Sequence, residues 1–74
     1  MAVTYYSIHR PIGPGTFPKV NGIKILEIRN YDYRQYVNDI GREAWGYIVY
    51  DAPISEAEAR QYELIKGGMA NDAL

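Results

Sequence analysis

His9 is the only histidine in the chain, and it stands two residues after Ser7 and next to Arg10. A histidine beside a hydroxyl is the smallest arrangement that could run general-base or nucleophilic chemistry. It also needs a second group, usually a carboxylate, to hold the imidazole. No serine motif, cysteine or local carboxylate cluster accompanies this pair. The expectation is a strand-end histidine bonded to solvent or backbone, and a chain that is not an enzyme.

Two further features invite a chemical reading. Gly13-Pro14-Gly15-Thr16 is glycine-rich, but it lacks the spacing of a phosphate loop, and Pro14 removes an amide that a phosphate cradle needs. A loop this long without secondary structure is instead read as a rigid contact surface. Acids gather at Asp39 and Glu43 around Gly41, and at Asp51, Glu56 and Glu58. Neither group has the spacing of a calcium loop, and 74 residues scarcely build the cleft that a glycosidase-like carboxylate pair requires. Capping and solubility account for the second group. No metal or cofactor is expected.

The tyrosine and arginine set carries more. Arg29, Tyr31, Tyr33, Arg34 and Tyr36 fall within eight residues, and with Trp45 and Phe17 they form the candidate interaction surface. Interleaved aromatic and cationic groups serve three ends: support of a small core, protein interfaces, and single-stranded nucleic acid, where rings stack on bases and cations meet phosphates. Residues 1–34 hold five bases and two acids, and residues 35–74 three bases and seven acids, so the chain is polarised although its net charge is −1. That excludes a strongly basic nucleic-acid domain and leaves nucleic acid as the alternative to an unidentified protein partner. Self-association through an exposed sheet face or edge strand is the overlapping reading.

These residues must be held by few elements. Val3, Tyr5 and Ser7 alternate with Thr4, Tyr6 and Ile8, which predicts a strand over 3–9. Three prolines and two glycines make 11–19 an extended loop, Asn21-Gly22 signals a turn, and 23–28 reads as a strand able to pair with 17–20. Tyr33, Tyr36, Val37 and Ile40 recur at helical spacing, with Asn30 or Asp32 to cap and Gly41 to terminate, so 30–40 is expected to be a short helix. Over 44–50, Trp45, Tyr47 and Val49 share one strand face, and Gly46 marks a bulge or a close backbone approach. Ser55-Glu56-Ala57-Glu58 fits a capping box for a second helix running to about residue 64 or 65.

Length and composition bound the result. Seventy-four residues with 47% hydrophobic and 23% charged side chains make one folded domain, placed at 1–68, with 69–74 as a flexible C-terminal tail. Eight tyrosines and no cysteine mean a tyrosine-rich core without disulfides. No apolar run reaches the roughly 18 residues of a membrane span. Met1 to Thr4 does not read as a signal peptide, so no membrane partner and a cytoplasmic location are expected. The fold class is α+β: a small three- to four-stranded, mainly antiparallel sheet with one or two short helices packed on one face.

Arg10-Pro11 followed by Gly15-Thr16-Phe17-Pro18-Lys19, and then Gly41-Arg42-Glu43-Ala44-Trp45-Gly46-Tyr47-Ile48, give the patterns R-P-x-x-x-G-T-x-P-K and G-R-x-A-W-G-Y-I. In these the chain resembles short uncharacterised proteins of bacterial integrative conjugative elements. The resemblance implies a bacterial cytoplasm and an accessory role on a mobile element, and it brings no catalytic residues. Residues and resemblance together point to a small non-enzymatic protein-interaction module.

Overall fold

The structure is a computed structural model and describes residues 2–67. The expected tail, 69–74, lies outside the described residues. Strand β1 spans Val3–Ser7, β2 Ile25–Val37 and β3 Arg42–Tyr50; helix α1 spans Glu56–Gln61 and strand β4 Leu64–Lys66. They form one antiparallel sheet in the order β2-β3-β1-β4, so β2 and β4 are its edges. The α+β class is as expected from the sequence, with four strands and one short helix among the described residues.

The alternation read from the sequence decides what the central strands bury. In β1 Val3, Tyr5 and Ser7 point into the core, and in β3 Ala44, Gly46, Ile48 and Tyr50 do the same, while Trp45, Tyr47 and Val49 remain half-buried on the other face. Opposed residues of an antiparallel pair share a face, and Tyr5 lies opposite Ile48. The core gathers Val3, Tyr5, Ile12, Ile48, Tyr50, Ile54 and Leu64, and Phe17, Val20, Ile23 and Tyr62 pack against it from the loop and from beyond the helix. Both buried phenols are satisfied. Tyr50 donates to the Pro18 carbonyl at 2.8 Å, and Tyr5 accepts from the Ile54 N–H at 3.0 Å; their rings meet edge to face at 5.8 Å.

Residues 30–40 are the main correction. No helix forms there: β2 runs on to Val37, and a turn returns the chain to β3. Gly41 supplies a positive φ of 68° in that turn, and its N–H and that of Ile40 both reach the Val37 carbonyl. The register shifts twice, between Ile25 and Glu27 and between Asn30 and Gln35. The second shift falls inside 30–40 and moves the side-chain alternation out of phase, so the two-residue period of a strand is broken there and an apparent helical spacing results. Tyrosine and valine favour the pleated form wherever a neighbouring strand receives them.

Two smaller corrections follow. Residues 17–20 do not pair with β2: the chain from 8 to 24 is a loop, closed at Asn21-Gly22 by the Ile23 N–H bonding to the Val20 carbonyl at 3.1 Å. The capping box forms as expected, with Ser55 accepting from the Glu58 N–H at 3.1 Å, but the helix stops at Gln61. Glu63 takes a φ of 58°, which reverses the chain into β4 beside β1.

Gly46 is the close approach expected of it. A Cβ there would stand 2.3 Å from the Arg29 carbonyl oxygen. The β2–β3 hairpin also bends. Arg42 and Tyr47 are five residues apart, about 16 Å along an extended strand. Yet Asp39, in the hairpin turn, accepts from the hydroxyl of Tyr6, which lies opposite Tyr47. The tip therefore folds back over the face of the sheet that the loop leaves uncovered.

Candidate functional site

Three tyrosines line up on that outer face. The rings of Tyr6 and Tyr47 are 6.1 Å apart, and those of Tyr47 and Tyr31 are 6.3 Å apart. Glu27 fixes one member by accepting from the Tyr47 hydroxyl at 2.8 Å. That hydrogen bond is the main reason the Tyr47 phenol is pushed above its ordinary pKa. Burial is the main cause for Tyr6, pushed up to about 12, with the Asp39 charge next. Tyr31 is also raised by burial, against a lowering pull from Arg29. All three therefore stay neutral hydrogen-bonding groups at physiological pH.

Beside this row, at the irregular stretch of β2, lies a polar groove of about 300 Å³ lined by Arg29, Asn30, Tyr31, Asp32, Gln35 and Tyr47. It offers a cation, a carboxylate, the Gln35 amide and two phenols, a set that binds polar chains by hydrogen bonds and ring contact, while the Asn30 side chain is taken up by the backbone of Ile12. Tyr33 and Tyr36 stand beyond it, 66% and 64% exposed.

The expected surface is thus divided. Arg29 and Tyr31 line the groove, and Tyr33 and Tyr36 flank it along the edge strand. Arg34 is engaged with Glu43 at 3.3 Å. Trp45 is half-buried on the Tyr47 face of β3. Phe17 sits elsewhere: it packs on the core and, with Gly13, Pro14, Gly15, Ile28 and Tyr62, helps line an apolar groove of about 550 Å³. Sequence reasoning left out Tyr47, although strand alternation had put it on the face of Trp45. It also missed Asn30, Asp32 and Gln35, which line the groove where the β2–β3 register shifts.

The other motifs are occupied structurally. Ser7 is buried and donates to the Arg10 carbonyl, so it does not pair with His9. His9 and Arg10 both face Glu63, at 3.9 Å and 2.5 Å, in exposed positions. Thr16 closes its turn on Gly13, accepting from the Gly13 N–H at 2.8 Å, which takes up an amide of the glycine-rich loop. Asp51 accepts from the Lys24 N–H at 2.9 Å. Among the described residues no group of three or more His, Cys, Asp or Glu could hold a metal ion, and no helix is long and apolar enough to cross a membrane.

Comparison with known proteins gives one finding. The family model described as defence against restriction A C-terminal matches residues 1–69. No curated protein and no solved structure matches the chain.

Proposed function

The chain belongs to the defence against restriction A C-terminal family, and from that premise we propose that it is a non-enzymatic protein-interaction module. In this reading it is an accessory of a phage or other mobile element, contributing to the protection from restriction that the family is named for. The family match supports the mobile-element setting that the Arg10–Lys19 and Gly41–Ile48 segments imply.

The observation that carries the reading is the balance of charge at the groove. Arg29 shares it with Asp32, Arg34 is held by Glu43, and Glu27 sits against Tyr47. Cations interleaved with carboxylates suit a polar protein surface better than a phosphate chain, which needs unopposed positive charge. Tyr31, Tyr33 and Trp45 are the anchors, since aromatic side chains supply most of the energy of such contacts.

Capture of a partner by the folded chain, repeated with Tyr31→Ala, Tyr33→Ala and Trp45→Ala, tests this. Loss of capture with a native-like amide spectrum is the expected result; capture unchanged in all three would reject the surface. Single-stranded nucleic acid is the second reading, favoured by Arg29 standing beside the neighbouring rings of Tyr31 and Tyr47. A mixed-sequence oligonucleotide that shifts the amides of residues 24–36 at low salt, reversibly with added salt, would put this reading first.

A further inference from the structure

Strand β2 is a sheet edge thirteen residues long, and the exposed apolar side chains Leu26 and Ile28 lie on it at 55% and 44% exposure. An edge strand presents a row of unpaired backbone N–H and C=O groups and is a template for another strand. The ladder to β3 is regular from Glu27 to Asn30 and shifts on either side. Bulges kink a strand, so a new partner along this edge is confined to that window.

Identical strands that pair antiparallel about a two-fold axis obey a parity rule. The axis keeps each face of the sheet on its own side, so a residue meets only residues of its own face, and the axis passes through a residue opposed to itself. The window then offers four centres. Centring on Glu27 or on Arg29 sets like charges against each other. Centring on Asn30 puts Arg29 against Tyr31 and Ile28 against Asp32. Centring on Ile28 sets Ile28 against itself and Glu27 against Arg29 of the second copy, twice by symmetry. Opposite charges directly across a strand pair are favourable and like charges are not. Among the described residues Arg29 makes no ion pair within its own chain, whereas Glu27 is already held in place by Tyr47.

We propose that β2 pairs antiparallel with β2 of a second copy of this chain, in the register centred on Ile28, joining two four-stranded sheets into one of eight strands. Ile28 also lines the apolar groove with Phe17 and Tyr62, so the axis brings the two grooves side by side on one face of the joined sheet. This pairing does not rest on the proposed function, and Tyr33→Ala leaves it intact.

The chain has no cysteine, so a single Ile28→Cys variant reads the register directly. Opposed residues of an antiparallel pair have Cα atoms about 4.5–5.5 Å apart, within disulfide reach. Mild oxidation is expected to link Ile28→Cys into a covalent dimer and to leave Tyr33→Cys monomeric. In sedimentation equilibrium the wild-type chain is expected to reach twice its 8.5 kDa mass as concentration rises. Glu27→Arg and Arg29→Glu should each weaken that dimer by about tenfold, and the double reversal should restore it. Amide spectra keep misfolded variants out of the comparison. A chain that stays monomeric to about 1 mM, a dimer that the double reversal fails to restore, or linkage at residue 33 rather than 28 would overturn the proposal.

Discussion

The side-chain amide of Asn30 holds both backbone groups of Ile12, accepting from its N–H at 2.7 Å and donating to its carbonyl at 2.8 Å. The contact imitates one rung of a sheet ladder, made by a side chain in place of a strand. It ties the long 8–24 loop to β2 at the residue where the ladder to β3 loses register. Gly46 lies opposite Asn30 in that ladder, so loop, edge strand and central strand are locked at one point.

Removing the clamp leaves Ile12, only 5% exposed, with two backbone groups unpaired. Asn30→Ala is expected to cost about 1–3 kcal/mol in urea unfolding, the usual penalty for buried polar groups without partners. Asn30→Asp should be no better at neutral pH, because its carboxylate faces the Ile12 carbonyl with no donor. Wild-type stability in both variants would show that the clamp is dispensable.

Gly46→Ala tests the same junction from β3. The added methyl would meet the Arg29 carbonyl oxygen at 2.3 Å and the Asn30 Oδ1 at 2.7 Å, so backbone must move. A loss of about 1–3 kcal/mol or more is expected, as for other overpacked sites. Gly13→Ala, where an added methyl has nothing within 4 Å, is the control and should change stability little.

Alkaline pH should unfold the protein from within. Tyr6 and Tyr50 are both pushed up to about 12, each chiefly by burial, the first then by Asp39 and the second by Glu58. A phenol with a raised folded pKa favours the folded state while it keeps its proton. That stability is complete below the unfolded value near 10 and is lost as pH climbs toward about 12. Unfolding midpoints should therefore fall between about pH 10 and 12, and Tyr6→Phe should flatten the fall by removing one titrating group. An equally steep fall in Tyr6→Phe would contradict the assignment.

Much of this was legible in the residues, and the illegible part has a physical cause. Alternation in Val3–Ser7 and in Trp45, Tyr47 and Val49 was unbroken, so the central strands and their faces followed. Ser55 and Glu58 marked the helix start because a capping box is local chemistry. Strand β2 was read as a helix over 30–40 because the register shift between Asn30 and Gln35 scrambles its period there. Strand β4 stayed hidden because Glu63, neither glycine nor asparagine, makes the reversal before it. Of the candidate surface, singled out as a cluster of tyrosines and arginines, Tyr31 lines the polar groove and Tyr33 and Tyr36 are exposed on the same strand, but Phe17 belongs to another groove, and only the three-dimensional pairing of β3 brings Tyr47 to Tyr31.

The most direct test of the proposed function is a photoreactive amino acid placed at Tyr33, which is exposed and adjacent to the groove, with a second placed at Lys19 on the apolar groove as reference. Irradiation would be done in cells producing the mobile-element proteins, and the adducts identified by mass. A defined protein adduct at residue 33, absent at 19 and abolished by Tyr31→Ala in the folded chain, is the expected result. Adducts to nucleic acid alone, or a protein adduct at residue 33 that persists in Tyr31→Ala, would contradict a protein-binding role for the tyrosine and arginine face.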